Sequence, residues 1–301
     1  MTTESVHDLL GDLSTRYGDW DAPVTKPYSL NYRNTAGNTI LKIYRRITPV
    51  QRQRRETEAL ERAPAFGVKT PRVLEAGRLG RDAWTVITVI PGRPLTLSTP
   101  VDVEEYLHRV LELTQALAAQ RSPVTPGDGW EEAHDARTTG DYLADMLSSR
   151  VRRTSWWPEL RAKLADLDGE PLVYLHGDVK PEHILVEDAQ AHVVDWEASA
   201  RGPAIRDVAD AMFHAARDLE YDGVEVRSFV SAFQAPALAD RNVSPMLAWR
   251  VALWADRRRP LNVHRLSASL MAELLSTTTH EDACTVLLQI IRAMRLIGTP
   301  R

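Results

Sequence analysis

The stretch LVYLHGDVKPEHILVEDAQAHVVDWE (residues 172–197) contains three short apolar runs that are typical of β-strands, separated by polar turns. Asp178 and Lys180 follow the first run, and Asp195 follows the third. The turn at residues 187–190 is predicted to pair the second run with the third, which brings Asp195 near the loop that carries Asp178. Two carboxylates and a lysine are the groups that phosphoryl transfer requires to orient a hydroxyl and neutralise phosphate charge.

Strand patterns also dominate the first ninety residues. The runs YSLNYRN and TILKIYR flank the turn TAGN at residues 35–38, which predicts a β-hairpin. The charged run VQRQRRETEALERA predicts an exposed helix that ends near Pro64 and Gly67, the one helix expected in this region. The run PRVLEAGRLGRDAWTVITVIPG predicts further strands that stop at Pro91 and Gly92.

Helical patterns take over downstream. Thr99 and Pro100 suit the N-cap and first turn of a helix, and apolar residues then recur at helical spacing. Another helix is predicted from about Pro203. The sequence therefore predicts an α+β protein with a small β-rich N-terminal lobe at residues 1–90 and a large, mostly helical C-terminal lobe at residues 91–301.

Composition limits the class of protein. The 301 residues are 44% hydrophobic, which is enough for a large core, and 37 basic against 41 acidic residues give a net charge of −4. This balance argues against a general nucleic-acid or membrane binder. The single cysteine, Cys284, fits a reducing cytosol. The polar N-terminus is not typical of a signal peptide, and no apolar run reaches about 18 residues, so we predict a soluble cytoplasmic protein.

The motif HGDVKPEHIL followed by VVDWE resembles the catalytic and metal-binding segments of the aminoglycoside-phosphotransferase-like kinases, which are distant relatives of the protein kinases. The resemblance implies a bilobal protein-kinase-like fold and an enzyme that uses ATP and Mg²⁺. It implies that Asp178 is the catalytic base, that Lys180 contacts the γ-phosphate and that Asp195 is the main Mg²⁺ ligand. It also implies that Asp207 caps a helix and braces the catalytic loop.

The N-terminal lobe extends the resemblance over roughly residues 25–215. Lys42, on a predicted strand, stands where the family lysine holds the α- and β-phosphates. Glu56 is the first candidate for its helical partner, and Glu58 is the second. The segment TVITVIPG resembles the hinge, where main-chain groups from Thr88 to Ile90 would bind adenine.

Two features depart from the family pattern. The predicted phosphate loop, YSLNYRN, contains no glycine, so Ser29 or Asn31 would contact the phosphates there. His183 replaces the asparagine that the family uses as a Mg²⁺ ligand, although Mg²⁺ prefers oxygen. His183 would bind a second metal weakly, contact a phosphate, or leave the site with one metal.

The acceptor is predicted from charge. From residue 223 to 301 the sequence has ten arginines, no lysine and six acidic residues, a net charge of +4. A basic acceptor region suits an acidic peptide better than a polycationic aminoglycoside. The kinase segment also resembles the phosphotransferases that act on Ser or Thr of precursor peptides in lanthipeptide and thioamitide biosynthesis. We therefore favour phosphorylation of Ser or Thr in a precursor peptide. A separate lyase partner would then eliminate the phosphate.

Two other functions stay open on the sequence alone. One is a kinase of aminoglycosides or other small antibiotics, which would confer resistance. The other is a non-catalytic pseudokinase that binds a nucleotide or a partner protein, a function that the replacement of the family's asparagine by His183 would indicate. Intact Asp178, Asp195 and Lys42 argue against this last alternative.

Overall fold

A computed structural model describes residues 5–119, 138–223, 243–258 and 263–296. The chain divides into two compact units. Among the described residues, the first unit holds those up to Arg93 together with the segment Leu185–Ala200, and the second unit holds the others. The lobe boundary was predicted after residue 90; in this division the first unit extends to Arg93 and also includes Leu185–Ala200.

The elements follow one another along the chain as strands first and helices later. The strands are β1 (Val24–Thr25), β2 (Ser29–Arg33), β3 (Thr39–Tyr44), β4 (Val73–Leu79), β5 (Asp82–Thr88), β6 (Arg93–Pro94), β7 (Leu172–Leu175), β8 (Ile184–Glu187), β9 (Gln190–Val193) and β10 (Ala200–Pro203). The α-helices are α1 (Val6–Tyr17), α2 (Pro49–Arg62), α3 (Pro100–Ala119), α4 (Thr139–Asp145), α5 (Trp157–Ala165), α6 (Ile205–Asp222), α7 (Ser244–Arg258), α8 (Ala268–Ser276) and α9 (His280–Leu296).

The first unit is built on an antiparallel sheet in the order β1-β2-β3-β5-β4. The predicted hairpin is confirmed, because β2 pairs with β3 along its whole length. The predicted charged helix is also confirmed as α2. An antiparallel sheet near the N-terminus and a mostly helical remainder confirm the predicted α+β class.

Helix α1 was not predicted, since one helix was expected in this region. Ser5 and Asp8 form a capping box in which each side chain accepts a hydrogen bond from the other residue's main-chain N–H. Leu9 and Leu13, four residues apart, are buried in the same apolar cluster as Trp84 on β5. The capping box and this leucine pair are signals of the helix that the strand-rich context obscured.

The second unit is mainly helical. In it, α6 packs against α3, α7 and α9, and α5 packs against α4 and α7. The strands β7 and β10 pair with each other. The predicted helix start at Thr99 and Pro100 is confirmed, because Thr99 Oγ1 accepts a hydrogen bond from the Asp102 N–H at 3.3 Å. None of the described helices combines the length and the apolarity needed to cross a bilayer.

Gly77 shows how closely the sheet is packed. Gly77 on β4 pairs with Trp84 on β5, and a Cβ at residue 77 would lie 2.6 Å from Cζ2 of the indole. Because Trp84 is buried, the ring must shift to admit a methyl group. We expect Gly77→Ala to lower the free energy of unfolding by about 1–3 kcal/mol, measured by urea denaturation.

Gly11→Ala is the matched control for this prediction. Gly11 lies on the exposed side of α1, where a Cβ would meet no atom within 4 Å. Alanine in a helix is favoured over glycine, so this variant should gain about 0.5–1 kcal/mol. A Gly77→Ala protein as stable as the parent would contradict the packing described for β4 and β5.

Candidate active site

A buried lysine in the first unit forms three ion pairs. Lys42 lies on β3, and its Nζ is 2.7 Å from Oε2 of Glu56 on α2. The same Nζ lies 2.6 Å from Asp195 Oδ1 and 3.0 Å from Glu197 Oε2, both in the segment after β9. Glu58, the second candidate, instead faces an arginine on its own helix. Three predicted site residues thus meet, together with Glu197, which was not predicted.

The members of this cluster stabilise one another's charges. Burial acts to lower the pKa of the Lys42 ammonium, but Asp195 and Glu56 raise that pKa well above its ordinary value. Burial acts to raise the pKa of the Glu197 carboxyl, but Lys42 and Arg52 lower it overall. Arg52 Nη2 lies 2.7 Å from Glu197 Oε2. The cluster therefore contains a charged lysine and a charged Glu197 carboxylate, whereas burial raises the pKa of Glu56 overall.

The main chain at Asp195 has a conformation that is rare for a residue with a side chain. Its φ of 64° and ψ of 56° are left-handed, which costs about 1–3 kcal/mol. Trp196 is fully buried, and its Nε1 donates a hydrogen bond to the Val193 carbonyl oxygen at 3.0 Å. Trp196 is thus a core residue, and this anchor supports the strained turn in which Asp195 meets Lys42.

The donor set of the cluster fits Mg²⁺. Carboxylate oxygens of Glu56, Asp195 and Glu197 lie within 4.8 Å of one another. Oxygen is the ligand that Mg²⁺ prefers. Glu56 already accepts hydrogen bonds from Lys42 Nζ and, at 2.5 Å, from the Tyr44 hydroxyl. The Glu56 side chain is 2% exposed, whereas those of Asp195 and Glu197 are 17% and 25% exposed, so these two residues of the cluster would hold the ion.

The predicted phosphate loop is wrong in its conformation. Ser29 and Asn31 lie in β2, which is paired with β3, and are not in a loop. The tight turn lies at residues 26–28, where the Lys26 N–H donates to the Ser29 carbonyl oxygen at 2.9 Å. Lys26 Nζ lies 3.3 Å from Asp195 Oδ2. The Lys-Pro pair before the run YSLNYR was the signal for this turn.

The predicted hinge offers fewer main-chain donors than expected. The Thr88 N–H donates to the Arg72 carbonyl oxygen at 2.9 Å, and the Val89 N–H donates to the Asn38 carbonyl oxygen at 2.8 Å. These two N–H groups therefore already donate to carbonyl oxygens of the first unit and are not free to bind adenine. An adenine contact through the main chain of Ile90, beyond the end of β5, stays a prediction.

In the second unit, Asp207 holds the loop that follows β7. Its carboxylate accepts hydrogen bonds from the His176 N–H at 2.7 Å and the Gly177 N–H at 2.9 Å. Asp207 is in the first turn of α6, whose N-cap is Ala204, so its predicted capping role is wrong. The contacts match the predicted bracing of the loop.

Two further side chains hold the next residue of this loop. The Val179 N–H donates to Asp210 Oδ2 at 3.0 Å, and the Val179 carbonyl oxygen accepts from the Tyr106 hydroxyl at 2.5 Å. Both partners come from buried positions on α6 and α3. The main chain on either side of Asp178 is therefore fixed by buried polar contacts.

The Asp178 carboxylate has a charged partner on one oxygen. Lys180 Nζ lies 2.7 Å from Asp178 Oδ2, and His214 Nε2 lies 3.3 Å from Oδ1. Burial acts to raise the pKa of Asp178, but the His214 hydrogen bond and the Lys180 charge lower it overall. The side chain is 29% exposed, so it is an accessible, ionised carboxylate that can accept a hydroxyl proton.

His183 lies in the same loop region. It ends a short 3₁₀ helix (Pro181–His183) rather than beginning a strand, and its side chain is buried. Its Nδ1 lies 2.9 Å from the Asp178 carbonyl oxygen, which can only accept, so Nδ1 carries the hydrogen. This bond gives His183 a role in loop structure, and its predicted role as a metal ligand stays a prediction.

Several residues in the two clusters were missed by the sequence analysis. Glu197 follows Asp195 by two positions, and Asp210 and His214 follow Asp207 by three and seven, which places them on one helical face. That spacing was a usable signal. The missed residues are Lys26, Arg52, Tyr106, Glu197, Asp210 and His214.

The architecture and the clusters define a class. An antiparallel sheet carrying a lysine–glutamate pair, a helical remainder, and aspartates after β7 and β9 are the features of a kinase-like phosphotransferase. The chain belongs to the phosphotransferase enzyme family, whose model matches residues 26–241. The resemblance drawn from the HGDVKPEHIL and VVDWE motifs is thereby confirmed at the level of the family.

Individual relatives agree with this assignment. An aminoglycoside 3'-phosphotransferase of Streptomyces fradiae is 29% identical over 177 residues, which cover 56% of this chain and 65% of the relative. The chain thus spans just under two thirds of the length of this curated relative.

Solved structures share the fold at low identity. A thermostable variant of aminoglycoside phosphotransferase APH(4)-Ia, in complex with AMP-PNP and hygromycin B, has a TM-score of 0.60 at 15% identity, covering 95% of this chain and 98% of that one. The amicoumacin kinase hAmiN, in complex with AMP-PNP, Ca²⁺ and its antibiotic, has a TM-score of 0.58 at 13% identity, covering 96% and 92%.

Proposed function

We propose that this protein is an ATP-dependent O-phosphotransferase that moves the γ-phosphoryl group of ATP to an acceptor hydroxyl. The observation that carries the proposal is the position of Lys42, with Nζ 2.7 Å from Glu56 and 2.6 Å from Asp195. A buried, charged lysine fixed between two carboxylates is suited to hold phosphate oxygens. Family membership supports the same activity.

Each group has a role that its surroundings support. Lys42, oriented by Glu56, holds the α- and β-phosphates. Asp195 and Glu197 would hold the divalent ion, and Mg²⁺ bound there would neutralise the phosphate charge that develops in transfer. Asp178 accepts the proton of the acceptor hydroxyl. The hydroxyl oxygen attacks the γ-phosphorus, and ADP leaves.

Lys180 is the group we assign to the transferred phosphate. Its Nζ lies 2.7 Å from Asp178 Oδ2. The side chains of Lys180 and Asp178 are 25% and 29% exposed, so both are accessible. An ammonium beside the base can follow the phosphoryl group as negative charge builds on its oxygens.

The acceptor we propose is a Ser or Thr hydroxyl of a precursor peptide, with a separate lyase that eliminates the phosphate. Its support is the net +4 of residues 223–301. The structure reduces that support: Arg250 pairs with Asp210, and Arg292 and Arg295 pair with Glu220, both acids of α6. Arg257 on α7 is exposed, and we assign it to contact with an acidic peptide.

An aminoglycoside acceptor is the second candidate. It is favoured by the Streptomyces fradiae relative, whose name gives an aminoglycoside as its substrate. Pairing of three arginines with α6 carboxylates also weakens the charge argument against a polycation.

Mass spectrometry separates these acceptors. The protein is incubated with ATP and Mg²⁺, in parallel, with an aminoglycoside panel and with acidic peptides that contain Ser and Thr. A gain of one phosphoryl group on the peptides, absent with Asp178→Asn, is the expected result. A gain on the aminoglycosides alone would overturn the peptide assignment and leave the phosphotransferase intact.

A further inference from the structure

Helix α6 contacts the Asp178 loop through one face. Asp207, Asp210 and His214 are spaced by three and four residues, so their side chains lie on the same side of the helix. The two aspartates accept main-chain N–H groups of the loop. His214 differs from them, because its Nε2 reaches the carboxylate of Asp178, 3.3 Å from Oδ1.

The His214 ring is held from a second side. It is 1% exposed, and its Nε2 also lies 3.5 Å from Asp210 Oδ1 and 3.2 Å from Arg250 Nη2. Arg250 on α7 forms an ion pair with Asp210 through Nε and stacks over Phe213 at 4.2 Å. The imidazole is therefore enclosed by packed, charged groups that leave it little freedom to rotate.

The surroundings of the ring also select its tautomer. Nε2 faces the carboxylates of Asp178 and Asp210, which can only accept hydrogen bonds, and the Arg250 guanidinium, which can only donate them. Nδ1 is buried and has no hydrogen-bond partner among the residues that the structure describes. A hydrogen on Nδ1 would leave a donor unsatisfied and aim the Nε2 lone pair at two carboxylates, a costly arrangement. Because Arg250 already has the Asp210 carboxylate as its acceptor, the hydrogen belongs on Nε2, where it donates to Asp178.

We propose that His214 is a positioning residue for the Asp178 carboxylate: its Nε2–H donates to Oδ1 and fixes the rotamer in which the carboxylate receives the acceptor hydroxyl. Lys180 Nζ lies 2.7 Å from the other oxygen, Oδ2, so both carboxylate oxygens of Asp178 have a partner. His214 takes no proton in the reaction; the proton from the acceptor goes to Asp178. This inference rests on the proposed phosphotransferase function.

The role predicts an effect on turnover and not on nucleotide affinity. A small displacement of a catalytic group can cost up to about 100-fold in rate. His214→Leu removes the donor at similar volume, whereas His214→Gln keeps an N–H near the position of Nε2. The probe is ADP release from ATP and Mg²⁺ with water as the acceptor.

We expect His214→Leu to lower kcat by about 10- to 100-fold with KM for ATP unchanged, and His214→Gln to recover most of the loss. His108→Gln makes the same chemical change at an exposed position on α3 and should match the parent. A parent-like kcat in His214→Leu, or equal losses in the Leu and Gln variants, would overturn the positioning role.

The design separates this proposal from the function on which it depends. Equal ADP release by the parent and by Asp178→Asn would overturn the phosphotransferase assignment and this role with it. A loss in Asp178→Asn without a loss in His214→Leu overturns the role of His214 alone.

A spectroscopic measurement decides the case if His214→Leu does not fold. A two-bond ¹H–¹⁵N correlation spectrum of the protein with ¹⁵N-labelled histidine shows which ring nitrogen carries the hydrogen, and the signal missing in His214→Gln assigns His214. Hydrogen on Nε2 is the expected result. Hydrogen on Nδ1 would overturn the proposed contact.

Discussion

Replacing Asp178 with asparagine is expected to lower phosphoryl transfer by about 10²- to 10⁴-fold, the usual contribution of a positioned general base. Asparagine has the same shape and can still accept the His214 Nε2–H, but it cannot take the hydroxyl proton. The loop should survive the change, because its main chain is held by Asp207, Asp210 and Tyr106. Steady-state kinetics on the phosphorylated acceptor would measure the loss.

Nucleotide binding provides the contrast for this variant. Asp178 lies in the second unit, whereas Lys42 and Asp195, which we assign to the phosphates and the metal, lie in the first. We therefore expect the affinity for ATP, measured calorimetrically with Mg²⁺, to stay within about twofold of the parent, well under 1.4 kcal/mol. Asp145→Asn, at an exposed acid of the second unit, should leave both quantities unchanged. Retained transfer by Asp178→Asn would refute its role as the base.

Replacing Lys42 with methionine is expected to cost stability as well as activity. The lysine is 6% exposed, and its loss leaves Glu56, which is 2% exposed, without its cation. Removing one partner of a buried ion pair costs about 3–5 kcal/mol, because the other charge is left uncompensated. Denaturant unfolding would measure this loss in the free energy of unfolding, and the rate of phosphoryl transfer should fall as well.

The double variant tests the cause of the destabilisation. Lys42→Met with Glu56→Gln removes both charges, and Gln can still accept the hydrogen bond from Tyr44. It should recover a large share of the stability but none of the phosphoryl transfer. Lys163→Met, at a partly exposed lysine of α5, should change stability by no more than about 0.5 kcal/mol. A Lys42→Met protein as stable as the parent would contradict the ion-pair network.

The parts of the fold that sequence predicted are those with strong local signals. The hairpin of β2 and β3 has a turn between two β-forming runs, and α2 has a dense run of helix-forming residues. Helix α1 was not predicted, because it has few buried residues. Leu9 and Leu13 indicate a helix only once they are known to face the sheet. Local sequence patterns predict whether an element is a helix or a strand better than they predict which elements it packs against.

The site was predictable where residues follow one another in a motif. Asp178 and Lys180 are two positions apart in one loop, and their contact needs little tertiary information. His214 and Asp210 were not predicted, because α6 buries polar and apolar residues alike, so their spacing from Asp207 becomes a signal only once Asp207 is known to contact the loop. The left-handed turn at Asp195, likewise, depends on the burial of Trp196.

The most direct test of the account is ADP formation from ATP by the whole protein, with Mg²⁺ and after chelation with EDTA. The account predicts ADP only when Mg²⁺ is present, in amounts that match the phosphoryl groups found on acceptor and as free phosphate. Tight binding of Mg²⁺ and ATP without any ADP, across peptide and aminoglycoside acceptors, would contradict it and show that the chain binds nucleotide without catalysis.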